Sequence, residues 1–306
     1  MTTTITPVAQ YTNSDPSVTS GAEGGLAFDT GPGPMNAVLQ MAFDRTLYAR
    51  GSVWGLNSWS GEFGVDTGGS NTVFTVRVGI VLGMTLRDGN SVWRPYFTSA
   101  QATLDLTNVE STPANLSNST WYYVYGWSDS AAPSSVKWQI STSPPTEVAA
   151  PTVVTGYKRG QGANYRYVGC FVTDGAGAPI PHTCRRGRYT YRVSALPIAT
   201  TQVLDRGVAA GYTAVSCAAL IPPHALIGAL RMELISTTAV AANFGNIQTN
   251  GDAGADAFNL YVPAGIAASA FRDVEIQLDA TQQVQYAVTA FNSAPTLSLY
   301  VTGWTE

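Results

Sequence analysis

Cationic side chains are concentrated in one stretch of this sequence. From residue 158 to residue 192 there are seven cations and one acid, Asp174, so this stretch carries +6 and the rest of the chain −10 of the total charge of −4. Arginine's planar fork binds carboxylates and phosphates in bidentate fashion. We predict that Arg185, Arg186 and Arg188 bind an anionic surface polymer. The alternative is that these cations pair with acids of neighbouring strands or subunits. The seven cations are Lys158, Arg159, Arg166, Arg185, Arg186, Arg188 and Arg192.

A second candidate site is aromatic. Residues 121–127 read Trp-Tyr-Tyr-Val-Tyr-Gly-Trp, and on a strand four of these rings share one face. Aromatic faces stack on sugar rings, which makes Trp121 and Tyr123 candidate glycan-binding residues. The opposite face, with Tyr122 and Val124, is also apolar, and this is typical of a strand buried in a core or a subunit interface. Both interpretations stay open.

The cysteines and histidines of the sequence do not make up a complete set of metal ligands. Cys170, His182 and Cys184 could contribute to a zinc site, but structural zinc takes four ligands and a fourth is not evident. His182 and His224 each lie beside prolines in turn-like sequence, and we expect both in surface loops. We therefore predict no metal site and no cofactor.

The cysteines also bear on the redox state of the protein. If residues 164–173 and 186–194 form a hairpin about Gly177, Cys170 and Cys184 could come close across it. A disulfide there is possible but not favoured, because three cysteines and no secretory signal fit a reducing cytosol.

Catalytic motifs are absent from the sequence. It has no Gly-x-Ser-x-Gly, no His-Glu-x-x-His and no phosphate-binding loop that ends in Lys-Ser/Thr. Asp252 and Asp256 flank a glycine-containing loop with few of the oxygen ligands that calcium needs, so we interpret it as a solvated turn. The acids are spread evenly, and no pair stands out as the two carboxylates of a glycosidase. We predict a protein that is not an enzyme.

Composition limits the partners of this 306-residue chain. Charged residues make up 12%, against about 25% in ordinary proteins, so part of the surface should be uncharged or covered by other subunits. The mild negative charge argues against nucleic-acid binding. No apolar run approaches the ~20 residues of a membrane span, so we expect no membrane insertion.

Periodicity indicates the elements that must position these residues. Residues 1–34 form an extended arm rich in Pro and Gly, and apolar residues at helical spacing predict one helix over 35–48. Apolar residues alternate over 74–86, which predicts one long strand before a tight turn at 88–90. Further strands are predicted at 100–107, 119–127, 135–141, 164–173, 186–194, 213–220, 225–235, 242–249, 257–262, 271–278, 283–291 and 296–304.

These elements predict an all-β protein of antiparallel β-sandwich or jelly-roll domains. No helix-length pattern separates the strands, so the sheets should be antiparallel. We divide the chain into an attachment region (1–65), a central β domain (66–198) and a C-terminal β-sandwich (199–306). The last domain has enough alternating strands to supply both inner faces of its own core.

Several of these segments resemble a β-rich module of tailed-bacteriophage fibre proteins. They are Ser-Thr-Trp-Tyr-Tyr-Val-Tyr at 119–125, Tyr-Arg-Tyr-Val-Gly-Cys-Phe-Val-Thr-Asp-Gly at 165–175 and Arg-Tyr-Thr-Tyr at 188–191. The arm with Asp-Pro-Ser-Val at 15–18, followed by Pro-Met-Asn-Ala at 34–37, looks like the virion-attachment end of such fibres. The resemblance covers residues 10–50 and 100–195 and brings no catalytic residues with it.

The resemblance implies a homotrimeric tail or head fibre that is assembled in a bacterial cytoplasm and carried on the virion. Other virion proteins would hold its N-terminal arm, and a host surface polysaccharide would be its receptor. One alternative is a capsid-decorating head fibre without a receptor role. A second alternative is a tailspike that degrades polysaccharide.

Overall fold

The structure is a computed structural model that describes residues 62–66, 69–79, 82–87, 93–97, 100–129, 132–148, 156–158, 165–185, 187–192, 198–236, 242–252, 258–264, 267–289 and 294–306. These parts form β-strands and two short 3-10 helices, and they contain no α-helix. The arm predicted for 1–34 and the helix predicted for 35–48 lie outside the described residues. Within the described ranges, no helix has the length and hydropathy to cross a bilayer.

The strands follow each other along the chain with short connections. The first twelve are β1 (Glu62–Val65), β2 (Val76–Val78), β3 (Leu82–Arg87), β4 (Trp93–Phe97), β5 (Ala102–Leu104), β6 (Trp121–Asp129), β7 (Ala132–Ser141), β8 (Thr146–Val148), β9 (Gly156–Lys158), β10 (Arg166–Val172), β11 (His182–Arg185) and β12 (Arg188–Tyr191). The next eight are β13 (Gln202–Gly207), β14 (Thr213–Ser216), β15 (Ile227–Ser236), β16 (Asn243–Thr249), β17 (Phe258–Val262), β18 (Ala268–Gln277), β19 (Gln283–Thr289) and β20 (Thr296–Thr305). The 3-10 helices are Leu106–Asn108 and Ile198–Thr201.

Among the described residues these strands build four sheets. The largest has nine strands in the order β18-β15-β20-β12-β11-β1-β2-β5, with β13 also paired to β20. A five-stranded sheet has the order β7-β6-β10-β9-β8, a four-stranded sheet the order β14-β19-β16-β17, and β3 pairs with β4 alone. Every pairing of these strands is antiparallel, which confirms the predicted all-β antiparallel class.

The two smaller multi-stranded sheets pack on the nine-stranded sheet. In the five-stranded sheet, Trp121 of β6 lies edge-on to Trp304 of β20, with ring centroids 5.7 Å apart. The four-stranded sheet approaches through Gly245 of β16, which lies against the side chains of Leu297 and Leu234. The result is a layered, sandwich-like arrangement with its core between the sheets.

Alternation along β15 shows why these sequences form half-buried strands. Leu230, Met232 and Leu234 are all fully buried, while the residues between them are partly exposed. A strand turns successive side chains to opposite faces, so these three apolar residues share one face of β15, which ends at the buried Ser236. Each such side chain stabilises the fold by roughly 1.5–3 kcal/mol relative to an exposed one.

Two features considered in the sequence analysis differ from the structure. The single strand predicted over 74–86 is wrong, because β2 ends at Val78 in the nine-stranded sheet and β3 begins at Leu82 in a separate hairpin. Gly79, at the break, offers no side chain to pack, and this weakens a strand. The hairpin of 164–173 with 186–194, which the sequence analysis considered only as a condition for a disulfide, does not form, since β10 pairs with β6 and β9 while β12 pairs with β11 and β20. The nearer strand β11 closes a much shorter loop with β12, at a lower entropic cost.

The nine-stranded sheet crosses the boundary predicted at 198/199. Strand β12 pairs with β20, so that Tyr189 lies opposite Trp304 and Thr190 opposite Gly303. Tyr189 and Trp304 also stack, with centroids 4.4 Å apart. The division into domains stays a prediction, but its two β regions share one sheet.

Candidate functional site

Two of the predicted arginines lie at the turn between β11 and β12. Arg185 and Arg188 are cross-strand neighbours, and Gly187 between them has a φ of 78°, which a tight hairpin turn favours. Their side chains are 77% and 63% exposed. Arg185 Nη2 lies 2.7 Å from Glu62 Oε1, and Arg188 Nη2 lies 2.5 Å from Glu275 Oε1. Both arginines therefore pair with acids of other strands, as the alternative interpretation expects.

Arg166, another cation of the basic stretch, lies on β10 and not at this turn. Arg186 lies outside the described residues. Arg166 is only 5% exposed, and burial lowers its pKa to about 10. The sequence therefore suggests a larger exposed group of cations than the structure has, because one member of the basic stretch faces the interior.

A cleft of about 210 Å³ opens beside Arg185. Three arginines line it, Arg77, Arg185 and Arg192, together with Glu62. Arg77 Nη2 lies 2.5 Å from Oδ1 of Asp66, a residue that does not line the cleft. Among the residues that the structure describes, no carboxylate forms an ion pair with Arg192, and the described groups at the cleft sum to one excess positive charge. It is polar, partly open and suited to an anionic group.

The aromatic candidates are divided between the surface and the core. Trp121 is partly exposed, and its Nε1 donates to the carbonyl oxygen of Ala218 at 3.1 Å. Tyr123 is 3% exposed and packs against Tyr167, with ring centroids 6.4 Å apart. The ring of Tyr123 is therefore not available to stack on a sugar. For this residue the structure agrees with the core interpretation and contradicts its assignment as a ligand-binding residue.

The prediction that both histidines lie in surface loops is wrong for His182, which belongs to β11 and is buried, whereas His224 does lie in a connection, between β14 and β15, with little of its side chain exposed. The side chain of His182 has no exposed surface, and its Nδ1 lies 3.1 Å from the carbonyl oxygen of Ile180. Burial among aromatic rings lowers its pKa to about 4. The side chain of His224 is 8% exposed. Neighbouring prolines fix the backbone torsion but leave the direction of the histidine side chain free. The rings around His182 are Phe63, Tyr189, Tyr191 and Trp304.

The three cysteines are free thiols in the interior, so Cys170 and Cys184 form no disulfide. Burial raises the pKa of Cys184 and Cys217 to about 12, and it raises the pKa of Cys170 well above its usual value. A buried thiol with a raised pKa is a poor nucleophile. This arrangement argues against cysteine-based catalysis.

A buried polar cluster surrounds the carboxylate of Glu306, which sequence analysis did not single out. Its Oε1 accepts from Tyr167 Oη at 2.8 Å, His224 Nε2 at 3.0 Å, Trp304 Nε1 at 3.3 Å and Cys170 Sγ at 3.6 Å. Its Oε2 accepts from Tyr189 Oη at 3.3 Å. The Glu306 side chain is 2% exposed. The cluster comprises Tyr167, Cys170, Tyr189, His224, Trp304 and Glu306, and we call it the Glu306 cluster.

Separate elements hold the Glu306 cluster in place. Strand β10 supplies Tyr167 and Cys170, and β20 supplies Trp304. The backbone N–H of Glu306 donates to the carbonyl oxygen of Gly187 at 3.0 Å, which extends the pairing of β12 with β20 by one residue. His224 lies in the connection between β14 and β15. The hydrogen bond from Ala225 N–H to the Pro222 carbonyl oxygen closes this turn at 3.0 Å.

The Glu306 cluster contains three types of metal-binding atom. Cys170 Sγ, a ring nitrogen of His224 and a carboxylate oxygen of Glu306 all lie within 4.8 Å of one another. Among the described residues this is the one group of three or more such side chains; the trio considered and set aside in the sequence analysis, Cys170, His182 and Cys184, does not form one. Only Cys170 is common to both sets. No motif marks His224 or Glu306, because His224 lies 82 positions and Cys170 136 positions before Glu306 in the sequence.

Comparison with known proteins assigns no family. No family model matches the chain, and no curated protein matches it. One similar solved structure is a Cry1Da tryptic core variant of Bacillus thuringiensis, 10% identical, with a TM-score of 0.18 over 85% of this chain and 54% of that chain. Another is the insecticidal delta-endotoxin Cry8Ea1 from Bacillus thuringiensis, 10% identical, with a TM-score of 0.20 over 84% of this chain and 55% of that chain. The chain thus spans about half the length of these structures, and TM-scores this low support no conclusion about fold or function.

Proposed function

We propose that this protein is a non-enzymatic fibre of a phage-like virion, and that it binds an anionic polysaccharide of the host cell surface. The binding site in this proposal is the cleft lined by Arg77, Arg185 and Arg192. The observation that carries it is that three arginines line one open cavity, at which the described residues sum to an excess positive charge. The virion assignment is supported by the sequence resemblance described above.

The ion pairs at the cleft would not prevent binding. The side chains of Arg185 and Glu62 are 77% and 71% exposed, and exposed pairs of this kind contribute only about 0–1 kcal/mol. A polymer carboxylate can therefore replace Glu62 as the partner of Arg185 at little cost. Arginine's bidentate geometry favours such an exchange.

The proposal includes a homotrimer held on the virion through residues 1–65. Its support is compositional, since 12% charged residues leave a surface that subunit contacts can bury cheaply. Large apolar side chains also remain exposed in the single chain, with Leu226 at 65% and Phe271 at 60%.

Binding to two polysaccharides of matched size tests the proposal. We expect the full chain to bind polygalacturonate and not neutral dextran, with an affinity that falls as NaCl is added, because exposed charges are screened beyond about 8 Å at physiological salt. The double variant Arg185→Ser/Arg192→Ser should weaken polygalacturonate binding at least about tenfold, which corresponds to ~1.4 kcal/mol. Light scattering should give a trimer for both proteins.

Arg231→Ser is the matched control. Arg231 is also an exposed arginine paired across strands, with its Nε 2.8 Å from Asp273 Oδ1, but it lies on β15 and does not line the cleft. Equal loss of binding in this variant would contradict a specific site. Release of reducing ends during the incubation would support the tailspike alternative instead. Absence of binding to polygalacturonate would favour a capsid-decorating protein.

A further inference from the structure

The Glu306 carboxylate lies among more donors than one of its oxygens can serve. Four side-chain heteroatoms surround Oε1, at 2.8, 3.0, 3.3 and 3.6 Å. A carboxylate oxygen has about two lone pairs, so four groups cannot all make well-directed hydrogen bonds to this one oxygen. A cation among them would instead accept electron pairs from sulfur, nitrogen and oxygen together.

We propose that Cys170, His224 and Glu306 bind a zinc ion. In tetrahedral zinc sites with bonds of about 2.0–2.3 Å, neighbouring ligand atoms lie roughly 3.3–3.6 Å apart. The distances from Glu306 Oε1 to His224 Nε2 and to Cys170 Sγ are 3.0 and 3.6 Å, and the three ligand atoms lie within 4.8 Å of one another. These separations are close to those of a tetrahedral site.

The fourth donor is in place as well. Tyr167 Oη lies 2.8 Å from Glu306 Oε1 and 3.1 Å from His224 Nε2. This oxygen can complete a tetrahedron, either directly or through a water molecule that it holds. A four-membered set removes the objection that applies to Cys170, His182 and Cys184, which lack a fourth ligand.

Charge and ligand type point to zinc rather than to a hard cation. A thiolate and a carboxylate together neutralise a divalent ion, so the loaded site carries no net charge in an interior where an unbalanced charge is costly. Thiolate and imidazole ligands suit zinc, whereas calcium and magnesium prefer oxygen ligands.

The proposed ion would join three separate parts of the fold. Cys170 belongs to β10 in the five-stranded sheet, His224 to the connection between β14 and β15, and Glu306 follows β20 of the nine-stranded sheet. These ligands come together only in the folded chain, so zinc would stabilise the folded state over the unfolded one.

Cobalt(II) serves as the spectroscopic probe for this site. We expect the full chain, stripped with a chelator, to bind one Co²⁺ with the absorption band of a thiolate-to-cobalt charge transfer. Zn²⁺ should displace the cobalt and raise the melting temperature. Cys170→Ser should lose the band, and His224→Gln should weaken cobalt binding by at least about 100-fold, more than is typical for loss of an outer-shell partner.

Cys217→Ser is the matched control, because Cys217 is also a buried free thiol but does not belong to the group of ligands. It should keep the cobalt band. Circular dichroism establishes that each variant is folded, and His224→Gln carries the test if Cys170→Ser does not fold. A folded wild-type protein that shows no thiolate-cobalt band would overturn the proposal. Persistence of the band in Cys170→Ser, or undiminished cobalt binding in His224→Gln, would also overturn it.

Discussion

His182 is held neutral in the folded protein by burial, and this makes stability depend on pH. Its pKa is about 4 in the fold, against a usual value of 6.5. Between these two pH values the unfolded chain binds a proton at this ring and the folded chain does not. The free energy of unfolding therefore falls on acidification from pH 6.5 to pH 4 and does not fall further below pH 4 on account of this group. The contribution is about 3 kcal/mol at most.

Urea unfolding of the wild type and of His182→Phe at pH 7, 5.5 and 4.5 measures this effect. Phe fits the aromatic surroundings and cannot titrate, so the variant should lose less stability on acidification than the wild type. The loss of the bond to the Ile180 carbonyl oxygen lowers stability of the variant at every pH and does not alter this comparison. Parallel pH profiles would show that another group dominates the acid response.

Single residues were the hardest part of the molecule to predict from the sequence. Leu230 and Met232 are buried as their alternation predicts, because apolar residues at every second position identify the apolar face of a strand. His182 and Glu306 carry no such signal. A polar residue can be buried only if distant partners satisfy it, and those partners depend on how the sheets pack.

At the scale of elements, the contact between β12 and β20 depends on Gly303. A methyl group at this position would overlap the carbonyl oxygen of Tyr189 on the neighbouring strand. Gly303→Ala should therefore force the two strands apart and destabilise the protein by roughly 3 kcal/mol, at the upper end of typical overpacking effects. The denaturant midpoint measures this loss.

Gly211→Ala is the control for this substitution, because nothing lies within 4 Å of a methyl group at that position. Its stability should stay within about 0.5 kcal/mol of the wild type. If the two variants have the same midpoint, the close approach at Gly303 does not limit the pairing of β12 with β20.

Strand positions were predictable where the apolar alternation is regular. Strands predicted at 225–235 and 296–304 correspond to β15 (227–236) and β20 (296–305). The prediction fails over 74–86, where the alternation continues through Gly79 but the chain passes from one sheet to another. Strand pairing was harder to predict from the sequence than strand position, since alternation does not identify the neighbour of a strand.

At the scale of the whole molecule, the nine-stranded sheet includes strands on both sides of residue 199, and this affects the stability of residues 199–306 as an isolated fragment. Trp304 is 1% exposed, and it stacks on Tyr189 and lies edge-on to Trp121, both outside that fragment. The sequence-based expectation that 199–306 folds by itself therefore needs qualification, because the isolated fragment lacks the partners of Trp304. We expect it to melt at a lower temperature than the full chain.

Fluorescence tests this expectation directly, because Trp304 is the only tryptophan within 199–306. Its emission in the fragment should resemble that of an exposed indole. Adding the separately prepared segment 62–198 should shift the emission toward that of a buried indole if the two pieces recombine. A fragment that shows buried-indole emission and melts like the full chain would establish an independent C-terminal domain.

The central place of β20 also has a consequence for biosynthesis. This strand follows all the other described strands along the chain, yet it pairs with β12, β13 and β15 in the nine-stranded sheet. During synthesis on the ribosome, the edges of β12 and β15 that pair with β20 stay unpaired until residue 305 has left the exit tunnel. Unpaired edges can join other nascent chains, and long-range pairings form slowly. Neighbouring ribosomes on one messenger RNA would therefore favour wrong pairing between chains, and slower initiation of translation should raise the yield of correctly folded protein.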